Sequence, residues 1–301
     1  MKANWRVQRE RGGRMTLRLI RGIGLTLGRR LTISLLWPIS LYFCLFAPTA
    51  RRSSSAFLSR ALGRRPNLFQ IWRHFFTFAV SLLDRLYLVT SRREGLHIEI
   101  EGQEALFGAR DSGAGCVLIG SHLGNFDAVR ACGLSLGAPL KILMQIEQSP
   151  AMMSALYGPH PAWQESVISL GKPDTFLRVN EALENGAFVA MLGDRASRQE
   201  KSIPLPFLGS TALFPAGPML LAALTCRPVV LFFGLYLGKG HYLVRFEPLV
   251  GRGEFDGCGR DTAVKAMLSR YAARLEAQCR RTPYNWYNFY DFWHDAWHSA
   301  V

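Results

Sequence analysis

Apolar residues along this chain repeat at two periods, and the switches between them outline a layered body behind an N-terminal end of different character. Leu31–Ala47, LTISLLWPISLYFCLFA, is seventeen residues without a charge. Leu68–Val89 is apolar on most sides and of helical length, with Arg73, His74, Asp84 and Arg85 as exceptions. Short strand-like stretches follow: His97–Glu101 alternates, Cys116–Ile119 is an apolar run, Leu140–Ile146 reads as another strand, and Ala187–Leu192 ends in Gly193-Asp194-Arg195. Ser166–Leu170 is a shorter apolar run, and Ser197–Lys201 a polar loop. Between them the spacing predicts helices over Phe126–Leu136, Asp174–Glu184, Met219–Cys226 and Asp261–Arg281. Asp174 and Asp261 stand where caps are expected, and Asn185-Gly186 and Pro283 where helices stop. Pro228–Leu237 and His241–Phe246 flank Gly238-Lys239-Gly240, a hairpin signal. Ile203–Leu208, interrupted by Pro204 and Pro206, reads as an edge or a loop. Strands alternating with helices predict an α/β fold, a mixed central sheet with helices on both faces.

Charge separates the two ends. The net charge is +14, yet residues 1–65 hold fourteen Lys and Arg against the single acid Glu10, while residues 66–301 hold twenty-two bases against twenty-one acids. We therefore divide the 301 residues into a basic, apolar, membrane-associating segment, 1–65, and a body, 66–301. A basic arm suits nucleic acid or an anionic membrane. The apolar block 31–47, bracketed by Arg29-Arg30 and Arg51-Arg52, points to lipid, and the nearly neutral body argues against a nucleic-acid partner. Seventeen residues is at the short end for a spanning helix and Pro38 interrupts it, so the reading is a segment lying in or dipping into the cytoplasmic leaflet, with a single span as the alternative. Thr16–Leu31 is consistent with a basic amphipathic helix leading into it. A cleaved signal peptide fits poorly, because the basic region is long and no A-x-A site follows. The six cysteines show no C-x-x-C spacing and suggest neither zinc nor disulfides.

The candidate chemistry lies in Gly115–Arg130, GCVLIGSHLGNFDAVR, which has the form of a buried strand, a Gly-containing turn and the start of a helix. A neutral imidazole takes a proton from a hydroxyl or amine best when its other ring nitrogen is held by an acceptor. His122 is the candidate base and Asp127 the candidate acceptor. On one continuous helix residues five apart diverge by about 140°, so the pair needs the turn to bring it together. Asn125, between them, either donates to a substrate carbonyl or shapes the turn. Ser121 is expected to point away, as neighbours at a strand end do. The second H-x4-acid match, His160 to Glu165, follows no strand, and His294 or His298 with Asp291 and Asp295 suggest no closed metal-ligand set.

Several stretches, in order, resemble the lysophospholipid acyltransferase superfamily, on the branch of the bacterial lipid A secondary acyltransferases. His122-Leu-Gly-Asn-Phe-Asp127 is similar to the H-x4-D/E signature, Gly193-Asp194-Arg195 to the second block and Phe214-Pro215-Ala216-Gly217-Pro218 to the third. Pro228-Val229-Val230 looks like the fourth, and Tyr284–Trp293 like the aromatic C-terminal signature. The resemblance implies a membrane-associated enzyme at the cytoplasmic face of a bacterial inner membrane. It would move a fatty acyl group from an acyl carrier protein or acyl-CoA thioester to a hydroxyl or amine of a lipid or glycolipid. The thioester would be a co-substrate, with no further cofactor and no metal. His122 would be the general base and Asp127 its orienting acid. Asn125, Asp194, Arg195, Phe214, Pro215 and Gly217 would bind substrate, Arg195 through a phosphate or the developing oxyanion. The third block lacks the acidic residue and Gly-Thr usual in glycerolipid enzymes, which argues against a glycerol-3-phosphate acceptor. A non-catalytic lipid-binding protein of the same fold is the alternative.

Overall fold

The computed structural model describes residues 14–89, 95–111, 113, 115–133, 139–145, 165–195 and 200–293. His160, His294, His298 and the loop residues 197–199 lie outside the described residues. Three helices come first, α1 (Arg14–Phe46), α2 (Pro48–Leu62) and α3 (Leu68–Val89). They precede β1 (His97–Glu101), α4 (Glu104–Asp111), β2 (Cys116–Gly120), α5 (Phe126–Gly133), β3 (Leu140–Met144) and β4 (Val167–Ser169). Then follow α6 (Thr175–Glu184), β5 (Phe188–Leu192), β6 (Ser202–Phe207), β7 (Ser210–Pro215), α7 (Gly217–Thr225), β8 (Val229–Gly238), β9 (His241–Val250) and α8 (Arg260–Arg281). A short 3₁₀ turn, Pro283–Asn285, leads into the aromatic tail.

Seven strands form one mixed sheet in the order β1-β9-β8-β2-β5-β3-β4. From β8 to β4 neighbouring strands are parallel; β9 pairs antiparallel with β8, and β1 runs with β9. The alternation of each strand sorts its side chains into two cores. Val117, Ile119, Val189, Met191, Leu231 and Phe233 point to one face, where α6, α7 and α8 pack. Cys116, Leu118, Phe188, Ala190, Val230 and Phe232 point to the other, beneath α4, α5 and the second half of α3. The expected mixed α/β sheet with helices on both faces is what the chain forms.

Some elements differ from the expectation for local reasons. For Ile203–Leu208 the edge reading holds and the loop does not: β6 pairs with β7 in a separate two-stranded sheet, where Pro204 and Pro206 cost no central ladder bonds. Asp174 makes no side-chain cap bond, and α8 starts at Arg260 behind Gly259, so that Asp261 lies in its first turn and not at its cap. The Gly238-Lys239-Gly240 turn closes the β8–β9 hairpin with all three residues at positive φ, 105°, 50° and 84°, which two glycines make affordable.

The first helix, α1, is built inside out. Along α1, Thr32, Leu36, Ser40 and Cys44 recur every fourth residue and are buried, whereas Leu31, Leu35, Trp37, Tyr42 and Phe46 are exposed. The inward stripe is largely small or polar and packs on α3, where Ser40 accepts a hydrogen bond from the Trp72 indole at 3.1 Å. A buried ion pair fixes the register: Arg29 donates to both oxygens of Asp84, at 2.7 and 2.9 Å, and Tyr242 on β9 donates to the same carboxylate at 2.8 Å. Just before Arg29 the helix breaks at Gly28, with φ 75°. Among the described residues no single helix is long and apolar enough to cross a membrane; Thr26–Phe46 and Pro48–Leu62 reach that length and apolarity only as a pair bent by 94°.

Candidate active site

The carboxyl ends of β2 and β5 lie side by side in parallel register, Gly120 beside Leu192, and Gly193 N–H donates to the Gly120 carbonyl at 3.0 Å. The chain leaves β2 toward β3 on one side of this pair and leaves β5 toward β8 on the other. A crevice outside two strand ends whose connections diverge is where open α/β sheets place ligands. Ser121-His122 comes off one strand end and Asp194-Arg195 off the other.

The turn after β2 is pressed against β8. A Cβ on Gly124, where φ is 82°, would stand 2.0 Å from the Gly234 carbonyl, and one on Gly234 would stand 2.2 Å from the Asn125 carbonyl. Glycine at both positions lets two backbones touch, and Asn125 N–H donates to the Gly234 carbonyl at 2.7 Å. The aromatic tail covers the turn from outside: Gly124 N–H donates to the Asn285 carbonyl at 2.8 Å and Tyr287 N–H to the His122 carbonyl at 3.1 Å. His122 is thereby held by backbone on both sides before any side-chain contact is considered.

His122 meets Asp194, not Asp127. Its Nδ1 lies 2.8 Å from Asp194 Oδ1, and its backbone N–H donates to Oδ2 at 3.0 Å. The Trp286 indole donates to the same Oδ2 at 3.0 Å, so the carboxylate is gripped by three donors. Because a carboxylate only accepts, Nδ1 carries the hydrogen and Nε2 is left with its lone pair. The His122 side chain is 33% exposed against 1% for Asp194, so the acceptor is sealed while the ring can be reached. Burial first, then the positive charge of Arg195, pull the His122 pKa below its ordinary 6.5 against the opposing effect of Asp194. Burial pushes the Asp194 carboxyl up, but His122, Arg195 and the Trp286 indole outweigh it and leave the group at about 2. The result is a neutral imidazole backed by a carboxylate, the state a general base needs near neutral pH.

Asp127 has different partners. In the first turn of α5, it lies 2.7 Å from Arg85 Nε on α3 and 3.9 Å from Arg130 Nη1 one turn on, with its carboxylate only 1% exposed. The expectation that it orients His122 is corrected here: the acceptor beside the imidazole is Asp194, from the neighbouring strand end, while Asp127 pairs with arginines. Asn125 takes the second of its two readings. Its Oδ1 accepts from Asp127 N–H at 3.0 Å and its Nδ2 donates to the Ser81 carbonyl at 3.1 Å, so both ends of the buried amide cap α5 and tie it to α3.

Arg195 stays at the site. Its Nη2 donates to the Tyr287 carbonyl at 3.1 Å, its guanidinium lies 5.6 Å from the centre of the Tyr290 ring, and its charge acts on His122. The third block does not reach the dyad by any contact it makes. Phe214 is fully buried against Phe207, Tyr271 and Phe292, Pro215 ends β7, and Gly217 begins α7. Phe214 is thus part of the core, while Pro215 and Gly217 make the junction between β7 and α7. Among the described residues no group of three or more His, Cys, Asp or Glu could hold a metal ion.

Sequence reasoning passed over Trp286, Arg85 and Arg130. Trp286 was one aromatic among many, yet its indole serves Asp194 and its carbonyl receives a 2.8 Å bond from His74 Nε2. His74 in turn accepts from Ser54 on α2 at 2.8 Å, and burial lowers its pKa to about 4. A charged residue such as Arg85 inside an otherwise apolar helix was the available signal. A family model, described as bacterial lipid A biosynthesis acyltransferase, matches residues 70–295, which takes in α3, the sheet and the aromatic tail. No curated protein matches the chain.

Proposed function

Since the chain belongs to the bacterial lipid A biosynthesis acyltransferase family, whose activity is acyl transfer to lipid, we propose the following reaction for it. A fatty acyl group passes from an acyl carrier protein or acyl-CoA thioester to a hydroxyl or amine of a lipid or glycolipid acceptor. The observation that carries this reading is the His122–Asp194 pair, 2.8 Å apart at the mouth of two strand ends. His122 Nε2 removes the acceptor proton as the acceptor oxygen or nitrogen attacks the thioester carbonyl. Asp194 holds the tautomer and stabilises the imidazolium that forms. The tetrahedral intermediate then collapses, the carbon–sulfur bond breaks, and the thiolate recovers the proton from the imidazolium. A thioester is already activated, so no acyl-enzyme is needed and Ser121 has no nucleophilic part. Arg195, tethered to the Tyr287 carbonyl, supplies positive charge beside the developing oxyanion.

The surface of α1 supports a location at a membrane. Leu31, Leu35, Trp37, Ile39, Tyr42, Phe43 and Phe46 form an exposed apolar face that water does not favour, and Arg30, Arg51, Arg52, Arg64 and Arg65 flank it in sequence. We place this face in the cytoplasmic leaflet of a bacterial inner membrane. Residues 1–65 then act as the membrane-associating segment and 66–301 as the acyltransferase unit. The arrangement brings a lipid acceptor to the site from the bilayer while the thioester arrives from solution.

General acid–base assistance of this kind contributes roughly 10²–10⁴-fold, so His122→Ala lowers thioester consumption at least about 10²-fold without loss of fold. The measurement is thiol release from acyl-CoA and acyl carrier protein donors by the full chain in membranes. Near-normal turnover in that variant contradicts the assignment.

A further inference from the structure

Asp127 is a deeply buried acid near the site that the proposed chemistry does not use. Its carboxylate, 1% exposed, faces Arg85 at 2.7 Å and Arg130 at 3.9 Å, whose side chains are 27% and 23% exposed. It thus sits beneath two guanidiniums that come from different helices and still reach the surface. Arg85 lies one turn beyond Ser81 on α3, and the Ser81 carbonyl holds Asn125, which caps the helix bearing Asp127 and Arg130. The cluster is therefore fixed relative to the turn that carries His122. Arg85 is the last and smallest of the influences that lower the His122 pKa, after burial and Arg195.

We infer that Arg85 and Arg130, held in place by Asp127, form a phosphoryl-binding site beside the catalytic pair, and that Asp127 is a positioning residue for these arginines. Guanidiniums present paired donors that match phosphoryl oxygens, and a buried carboxylate beneath them limits the side-chain freedom lost on binding. The inference rests on the proposed acyl-transfer reading for what the bound phosphoryl does. The group belongs either to the thioester donor, since CoA and the pantetheine arm of a carrier protein carry phosphates, or to a lipid acceptor with a phosphorylated headgroup.

The test uses the full chain in detergent with inorganic pyrophosphate as the probe, titrated calorimetrically. Arg85→Gln and Arg130→Gln are each expected to weaken pyrophosphate binding about tenfold, and Asp127→Asn about threefold, as loss of charge-assisted bonds and of their support implies. Arg130→Gln leaves the Arg85–Asp127 contact intact and so guards against a folding defect. Wild-type protein that does not bind pyrophosphate, or three variants that bind it as tightly as wild type, overturns the site. KM values for acyl-CoA and for an acyl-N-acetylcysteamine thioester, which carries no phosphate, then identify the source. A rise for acyl-CoA alone puts the phosphoryl on the donor; no rise for either, with weakened pyrophosphate binding, puts it on the acceptor. An equal rise for both with unchanged pyrophosphate binding means a structural role only and overturns the inference. The His122→Ala variant separates the two readings: active protein that binds pyrophosphate normally removes the base assignment and leaves the site standing.

Discussion

Two buried carboxylates approach the turn after β2, and their surroundings assign them different work. Asp194 reaches His122 from the end of the adjacent strand and accepts from an imidazole, a backbone N–H and an indole. Asp127, only five residues from His122 in sequence, turns the other way and meets two arginines. Nearness along the chain counts for less than nearness across a parallel sheet. Neighbouring strand ends deliver side chains side by side, while a turn into a helix carries the following residues around an axis. The partners also differ in kind: Asp194 meets an imidazole and Asp127 meets guanidiniums.

The sharpest way to break this contrast is to neutralise each acid in turn. Asp194→Asn is expected to lower kcat by about 10²–10⁴-fold, because the imidazole loses the group that fixes its tautomer and stabilises its charge. Asp127→Asn is expected to act mainly on KM, by about tenfold at most, with the acid limb of the pH–rate profile in place. That limb falls below pH 6.5, because the lowered His122 pKa keeps the base unprotonated above it. Steady-state kinetics of thiol release between pH 5 and 9 read both effects. Equal losses in kcat, or a displaced limb in Asp127→Asn, would erase the distinction.

Trp286→Phe probes the Asp194 side more gently. It keeps the ring packing against Phe57 and Phe292 but removes the donor to Oδ2. The carboxylate becomes more basic and favours the imidazolium, so the acid limb moves to higher pH and kcat falls about tenfold, as expected for one bond to a charged group. An unmoved limb would reduce Trp286 to packing alone.

The smallest effect concerns stability. His74 stands at about 4 in the folded protein against 6.5 for an unperturbed imidazole. Between these values the unfolded chain binds more protons, so the stability that His74 contributes is present above pH 6.5 and lost as pH falls toward 4, on the order of 3 kcal/mol. Melting temperatures of wild type and His74→Gln measured across that interval are expected to converge at the acid end. Parallel curves would show that His74 titrates normally.

How much of this could be read in the residues depended on how local each signal was. The apolar runs at Cys116–Ile119 and Ala187–Leu192, the alternating His97–Glu101 and the glycines of the β8–β9 turn announced their elements, because period and turn chemistry act over a few residues. His122 was legible for the same reason, by its place after a buried strand. Its partner was not, since a 72-residue separation is closed only by the pairing of β2 with β5. In the third block the burial of Phe214 was not legible, because its contacts with Phe207, Tyr271 and Phe292 come from distant parts of the chain. The helices α2 and α4 went unread: α2 buries Ser53 and Ser54 among its contacts, and α4 is only eight residues long, too short for its periodicity to stand out. On α1 the buried stripe is the less apolar one, and no sequence pattern distinguishes an apolar face turned outward from one turned to the core.

The central claim is that Asp194, and not Asp127, holds the His122 ring. Nitrogen-15 chemical shifts of the histidine ring, assigned by comparison with His122→Gln, report the tautomer directly at pH 7.5. The account predicts a protonated Nδ1 and a bare Nε2 in wild type and in Asp127→Asn, with that signature lost in Asp194→Asn. Loss of the signature in Asp127→Asn and its survival in Asp194→Asn would contradict the account.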